Sequence, residues 1–199
     1  MTLRRSALGP STSQEHHAGA SRRRLGPILV AVAIALAVPD AARNAGAAAD
    51  VSRAALKAGF LYNFARFAEW PALPAGASIS LCIVGDDEIA TALAEMVNGQ
   101  NISGHALDVS RPTDGRTWRG CHLLFFADRE TKQFADGKSG IVALPILTVS
   151  DGKDFSQSGG IIEFYIDDGR MRFAINVDAA EHAGVRLSSR LLGLAKIVR

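Results

Sequence analysis

Short apolar runs alternate with amphipathic stretches over much of the chain after residue 50. Ser78–Val84 is a short, β-rich apolar run that ends at Gly85. It predicts a strand buried on both faces, which we place at the centre of the sheet. Asp87–Asn98 follows with apolar residues at helical spacing, and it predicts a helix that Gly99 ends. A buried strand that leads into a helix is typical of a βαβ unit.

The rest of the pattern predicts further strands and helices. Val51–Trp70 is apolar around most of its circumference, which predicts a largely buried helix that ends before Pro71. Two strands flank Asp167–Arg170, whose central Asp-Gly pair is typical of a β-hairpin. Leu187–Val198 predicts a closing helix that turns Leu194 inward. The remaining predictions are strands at Ala106–Ser110, Cys121–Phe126, Ile146–Val149, Ile161–Ile166 and Met171–Ile175, helices at Arg129–Phe134 and Ala179–Ala183, and caps at Asp128 and at Ser188 or Ser189.

This order of elements predicts an α/β fold. Strands alternate with helices to about residue 150, and a hairpin and a helix follow. The pattern favours a three-layer α/β/α sandwich whose mixed sheet is mainly parallel, with one antiparallel strand. No repeat or linker interrupts residues 50–199, so we expect a single domain there.

The first 49 residues have the pattern of a signal peptide. Three arginines at positions 22–24 precede Ile28–Val38, an uncharged apolar run of eleven residues, and Ala47–Ala49 offers the small residues of a cleavage site. The run is shorter than the roughly 20 residues that span a bilayer, although an uncleaved membrane anchor is the alternative. Under either interpretation the remainder is exported, because the basic residues stay in the cytoplasm. We expect residues 1–49 to be an N-terminal extension and signal peptide, cleaved near residue 49.

The net charge of the chain and its predicted export argue against several classes of function. The chain of 199 residues has a formal charge of +2, but the first 49 residues carry six of its 22 basic and two of its 20 acidic residues. The remainder therefore has a net charge of −2, which argues against nucleic-acid binding. An exported protein also works without ATP, which argues against a kinase or an ATPase.

Carboxylates follow several predicted strands, but they do not establish an enzyme. Asp86, Asp87, Asp128 and Asp151 lie where the carboxyl ends of strands are predicted, and such an edge binds ligands or Mg²⁺ in open α/β sheets. The favoured alternative is that they are helix caps and turn formers. The chain shows no paired His or Cys at metal-ligand spacing, no Gly-x-Ser-x-Gly elbow and no glycine-rich phosphate loop. Nothing in the composition or the spacing therefore establishes an enzyme, and we expect no cofactor and no metal.

Cys82 and Cys121 are the two cysteines of the chain. Both fall in predicted strands of one sheet, and an oxidising compartment favours their pairing. A bond between them would close a loop of 39 residues, worth about 4 kcal/mol in the chain-entropy model. The alternative is a pair of buried free thiols.

Four blocks of the sequence resemble the YfiR-like family. They cover residues 50–199 almost completely and in the family's order. The blocks are Ala58–Pro71, Leu81–Asp86, Leu147–Phe164 with its Gly159-Gly160 pair, and Arg172–Leu192.

The resemblance implies a periplasmic regulator with an α/β sandwich fold. Proteins of this kind bind the periplasmic domain of an inner-membrane diguanylate cyclase and hold the enzyme inactive, which limits cyclic di-GMP and biofilm formation. An outer-membrane OmpA-like lipoprotein can sequester them. They are typically homodimers that respond to redox conditions.

The resemblance also implies that Cys82 and Cys121 form one of the family's disulfides. The second pair of cysteines found in the best-known member is absent, because the loop at Asp151–Gly160 holds Ser156 and Ser158 instead. One disulfide at most is therefore left to stiffen the fold.

Polar residues inside the apolar motifs are the predicted partner contacts. The alternative is that they are helix caps and buried hydrogen-bonding groups. Two other functions stay open, namely a small-molecule sensor that uses the carboxyl edge of the sheet and a metal-dependent enzyme at Asp86, Asp87 and Asp128. The predicted contact residues are Asn176, Ser188, Ser189, Arg190, Arg66 and Glu69.

Overall fold

The computed structural model describes residues 52–199. The predicted signal peptide, its cleavage site and the start of the first helix at Val51 lie outside these residues. The helices are α1 at residues 52–67, α2 at Asp87–Val97, α3 at Thr131–Gly137, α4 at Val177–His182 and α5 at Ser189–Leu192. The strands are β1 at Ala68–Glu69, β2 at Ile79–Val84, β3 at Asn101–Ile102, β4 at His105–Ser110, β5 at Leu123–Phe126, β6 at Leu147–Ser150, β7 at Ile162–Asp167, β8 at Arg170–Asn176, β9 at Arg186–Leu187 and β10 at Lys196–Val198. Three 3₁₀ turns occupy Thr117–Gly120, Asp128–Glu130 and Lys138–Gly140.

The main sheet has eight strands in the order β10-β8-β7-β6-β5-β2-β4-β3. Strands β4, β2, β5, β6 and β7 run parallel to one another, whereas β3, β8 and β10 run the opposite way. The predicted α/β fold with a mainly parallel mixed sheet is confirmed. Two details of the prediction were wrong, because three strands rather than one are reversed and β2 is third from an edge rather than central.

The sheet separates two hydrophobic cores. Alternation along β5 places Leu123 and Phe125 in the larger core, which includes the buried residues of α1 and α2. Leu124 and Phe126 point into the smaller core, whose other side is lined by Trp118 and α3. All four residues of β5 are buried, as expected for a strand with cover on both faces.

The predicted C-terminal helix was wrong. Only α5 is helical, and the chain then forms β10, which pairs in parallel with β8. Leu194, predicted to face inward, is 67% exposed. The predicted cap at Ser188 is confirmed, since its side chain accepts a hydrogen bond from the Leu191 N–H at 3.3 Å. Each residue of β10 pairs with a residue of β8 that lies 22 positions earlier. This pairing outweighs the helical spacing, because propensity yields to tertiary contacts in so short a segment.

Three smaller predictions also need correction. Helix α1 ends at residue 67 because Ala68 and Glu69 pair with Leu187 and Arg186 in a second, two-stranded sheet. Asp128 forms no side-chain cap, since it is the first residue of a 3₁₀ turn that continues into α3. Strand β5 begins two residues after Cys121, which follows a 3₁₀ turn instead.

The hairpin prediction is confirmed. Asp167 and Arg170 are paired, and Asp168 and Gly169 form the loop between β7 and β8. Both loop residues have positive φ, 47° and 71°, as a type I′ turn requires.

Candidate functional site

Cys82 and Cys121 form a disulfide, as the family resemblance implied. Their Cα atoms are 5.9 Å apart, and both residues are buried in the smaller core. The bond joins β2 to the segment that enters β5, and the Ser110 hydroxyl lies 3.3 Å from the Cys82 Sγ. The disulfide therefore stiffens the sheet from within rather than tethering a surface loop.

The loop without cysteines is held by a carboxylate. Glu163 on β7 accepts hydrogen bonds from the Ser156 hydroxyl at 2.6 Å, from the Ser156 N–H at 2.9 Å and from the Asp154 N–H at 3.2 Å. Residues 154–156 are thus fixed by charge-assisted hydrogen bonds, and their attachment to β7 does not depend on redox conditions.

Asn176, a predicted partner contact, is buried at 8% exposure. Its Oδ1 accepts the Ala179 N–H at 2.8 Å and caps α4, while its Nδ2 donates to the Ser156 carbonyl at 2.8 Å. The cap alternative therefore describes this residue, and its prediction as a surface contact was wrong.

Two of the predicted contacts line one cavity. Glu69 at the end of β1 and Ser188 after β9 lie in a cavity of about 630 Å³, which we call the β1–β9 groove. Pairing of Glu69 with Arg186 and a 2.9 Å hydrogen bond from the Ser188 N–H to the Phe67 carbonyl bring these distant segments together. The groove is lined by Glu69, Pro71, Val177, Glu181, Gly184, Val185, Arg186, Leu187, Ser188 and Leu192.

The other predicted contacts lie outside the lining of the groove. The exposed Arg190 guanidinium carbon lies 5.5 Å from the centroid of the Phe67 ring, which is consistent with a cation–π contact. Ser189 is exposed beside it, and exposed Arg66 lies over the Tyr62 ring near the end of α1 at 5.6 Å. Both arginines thus have an aromatic support, with their charge facing solvent.

Sequence reasoning missed several residues of the groove. Arg186 and Glu181 bring charge to it, and Val177 and Leu192 bring apolar surface. Strands of two residues have no periodicity to detect, so nothing in the sequence predicted that Arg186 would lie opposite Glu69.

The carboxylates at the edge of the sheet act mainly as caps and ion-pair partners. Asp86 caps α2 by accepting the Ile89 N–H at 2.9 Å, and exposed Asp87 lies 3.4 Å from the Arg111 Nε. Asp151 pairs with Lys57 of α1 through one oxygen, while its other oxygen is buried without a hydrogen-bond partner. Within residues 52–199, no group of three or more His, Cys, Asp or Glu side chains could hold a metal ion.

His122 is a half-buried histidine directly before β5. Its Nδ1 accepts the Ser80 N–H at 3.0 Å, and its ring meets Trp70 edge-on at 5.8 Å between centroids. Burial, and secondarily the charge of His105, lower the pKa of His122 below its usual 6.5. The ring is therefore neutral at pH 7, as its acceptor role requires.

Comparisons with known proteins give the following matches. The model of the YfiR/HmsC-like family matches residues 54–196. No curated protein matches the chain. Among solved structures, a conserved domain protein from Vibrio cholerae O1 biovar El Tor aligns at 12% identity with a TM-score of 0.39, over 60% of this chain and 54% of the Vibrio chain, so the match spans about half of that protein. Residues 52–199 contain no helix long and apolar enough to cross a membrane.

Proposed function

The chain belongs to the YfiR/HmsC-like family of periplasmic regulators of diguanylate cyclases, and on that premise we propose that it represses an inner-membrane diguanylate cyclase by binding the periplasmic domain of that enzyme. In this proposal residues 50–199 act as one domain after the predicted signal peptide is removed. Binding lowers cyclic di-GMP and thereby biofilm formation. The active form in this proposal is a homodimer. An OmpA-like outer-membrane lipoprotein ends the repression by sequestering the regulator.

The family match is the observation that carries this proposal. It covers nearly all of the residues that the structure describes. Family members are regulatory rather than catalytic. Of the carboxylates predicted as a possible metal site, Asp86 caps α2 and Asp87 lies within ion-pair distance of Arg111.

For the contact surface we propose the β1–β9 groove together with the exposed residues beside it, Arg66, Ser189 and Arg190. The groove joins apolar walls to charges of both signs, Glu69, Glu181 and Arg186. A polar rim around a partly apolar centre is the usual composition of protein interfaces. Repression requires that the groove bind the inactive state of the cyclase more tightly than the active state, since binding shifts an equilibrium only by that difference.

The experiment is co-expression with a diguanylate cyclase from the same organism, with cyclic di-GMP as the readout. Arg190→Glu should raise cyclic di-GMP to the level found without the regulator, and it should abolish pull-down of the cyclase's periplasmic domain. Arg116→Glu, at an exposed arginine before the 3₁₀ turn at Thr117–Gly120, is the matched control and should still repress. If none of the organism's cyclases binds the wild-type protein, the proposal fails.

A small-molecule sensor is the second candidate, and the size of the groove favours it. Ligand cavities usually measure about 300–1,000 Å³, and the groove falls in this range at about 630 Å³. A compound that raises the melting temperature of the wild-type protein but not of Arg186→Ala, with no cyclase bound, would favour the sensor over the repressor.

A further inference from the structure

Helix α2 ends in a tight turn that contains the one Asn-Gly pair of the chain. Asn98 has φ −56° and ψ 120°, and Gly99 has φ 69°. The Gln100 N–H donates to the Val97 carbonyl at 2.9 Å and closes the turn. These values describe a type II β-turn, whose third residue has the positive φ that glycine adopts without strain.

Both residues of the pair face solvent. Asn98 and Gly99 are exposed, and a Cβ built on Gly99 would meet no atom within 4 Å. Within residues 52–199, the N–H of Gly99 and the side-chain amide of Asn98 make no hydrogen bond. Neither group is therefore held in place by another part of the described chain.

The turn allows the Gly99 nitrogen to approach the Asn98 side chain. The approach needs a rotation of the peptide between the two residues, which changes ψ of Asn98 and φ of Gly99 together. Type I and type II turns differ by a rotation of this same peptide, with the flanking residues in place. Because glycine accepts φ of either sign, Gly99 permits the rotation without strain.

The other three asparagines of residues 52–199 lack this combination of features. Asn63 donates its side-chain N–H to the main chain of α1 at 2.8 Å. Asn176 is buried, and both of its side-chain polar atoms are hydrogen-bonded. Asn101 is exposed, but it is paired in β3 and precedes Ile102, whose β-branched side chain crowds the intervening peptide. Asn98 alone among them is exposed, unbonded and followed by glycine.

We propose that Asn98 is a site of spontaneous deamidation in the folded, exported protein, since asparagine is among the thermolabile residues. The Gly99 nitrogen attacks the Asn98 Cγ and forms a bond to it, while Nδ2 leaves as ammonia with the proton of the Gly99 N–H. Water then opens the resulting succinimide ring. Cleavage of the new N–Cγ bond gives aspartate, whereas cleavage between the Gly99 nitrogen and the Asn98 main-chain carbonyl carbon gives isoaspartate. One water is consumed and one ammonia released, with no oxidation.

The modification changes the end of α2. Either product places a carboxylate beside the C-terminal end of the helix, where the helix dipole is negative. Helix α2 contains Asp87, Glu88 and Glu95 and no basic residue, so the new charge has no cation on this helix to offset it. Isoaspartate also adds one carbon to the main chain between α2 and β3. The end of α2 therefore loses stability as the protein ages after export.

The test incubates the full exported protein at mildly alkaline pH and follows each asparagine by peptide mass spectrometry. Loss of the amide changes the mass of a peptide, whereas isomerisation of the chain's Asp-Gly pairs does not. A synthetic peptide of residues 93–103 is the unfolded reference, and a sample digested at the start corrects for deamidation during digestion. Asn98 in the folded protein should react within tenfold of the rate in the peptide, and at least tenfold faster than Asn101 in the same molecule.

Variants locate the reacting groups. Gly99→Ala should slow the reaction at Asn98 at least tenfold, because the new methyl group hinders the attack. The same change in the synthetic peptide gives this comparison without the strain of a positive φ. Gly104→Ala is the matched control, since Gly104 is an exposed turn glycine with φ 88° and open space around it. It should leave the rate at Asn98 unchanged.

Three results would overturn the proposal. They are a rate at Asn98 more than tenfold below that of the reference peptide, which would show that the turn protects the side chain, a rate less than tenfold above that of Asn101, and an unchanged rate in Gly99→Ala. The assay contains no cyclase and no ligand, so its outcome is independent of the proposed function.

Discussion

The two faces of the sheet are packed by different means. The larger core has long helices over it and an aromatic cluster in which Phe64 and Phe173 lie 5.0 Å apart between ring centroids. The smaller core is covered by α3, which has seven residues, and by 3₁₀ turns, and it holds the disulfide. Where the helices are too short to bury a face by themselves, a covalent link adds to a second aromatic cluster, in which Phe134 and Phe155 lie 4.5 Å apart between ring centroids.

The glycines show the same contrast. A Cβ at Gly160 would overlap the buried Phe155 ring, and one at Gly137 would lie 2.5 Å from Trp118, both beside the smaller core. On the larger side, a Cβ at Gly59 of α1 would meet only the end of Met96, at 3.9 Å. The face with the shorter helices is therefore the one with less room for change.

The largest expected effect comes from removing the disulfide. The double variant Cys82→Ala, Cys121→Ala should lose about 4 kcal/mol of the free energy of unfolding, because the unfolded chain regains a 39-residue loop. Urea unfolding of the double variant, and of the wild type with and without reductant, measures this loss. In hydrogen exchange, the amides of α3, which covers the smaller core, should lose more protection than the amides of α1. Equal loss of protection in α3 and α1 would contradict the difference between the two faces.

The next prediction compares the effect of one added methyl group on each face of the sheet. Gly160→Ala should cost about 1–3 kcal/mol, because the new Cβ overlaps a ring that has no room to move. Its matched control is Gly59→Ala, which should be neutral or stabilise by up to about 1 kcal/mol, since alanine favours a helix interior. Thermal and urea unfolding of both variants measure the difference. A loss at Gly59 as large as that at Gly160 would show that the larger core is equally tight.

The smallest effect depends on pH. The lowered pKa of His122 means that the unfolded chain binds a proton more readily than the folded one below about pH 6.5. The stability that neutral His122 contributes is thus present at pH 7 and is lost as pH falls from about 6.5 toward the lowered pKa. In His122→Gln the drop in melting temperature between pH 7 and pH 5 should be smaller than in wild type. An identical drop would assign the acid sensitivity to other groups.

Sequence was most informative where elements are long and their caps are local. Strand β2 and helix α2 were predicted nearly to the residue, because a buried run, Gly85 and the Asp86 cap all lie within a few positions. Strand β10 was missed because three residues carry no period, and its pairing partner Ala174 lies 22 residues earlier.

The candidate site was predicted only in part, for a related reason. Glu69 and Ser188 were selected as polar residues within apolar motifs, and the structure places both in one groove. The same criterion selected Asn176, which is a buried cap. Polarity inside an apolar motif identifies a residue with a specific partner, but it does not say whether that partner belongs to the same chain.

Asn176 also connects the β1–β9 groove to the loop that follows β6. Its side chain caps α4, which supplies Val177 and Glu181 to the groove, and its Nδ2 donates to the carbonyl of Ser156, whose hydroxyl donates to Glu163 on β7. Hydrogen bonds thus link Glu163, Ser156 and Asn176 in series, through the hydroxyl and the carbonyl of Ser156. The start of α4, at the wall of the groove, is therefore held by the same residues that fix the loop without cysteines.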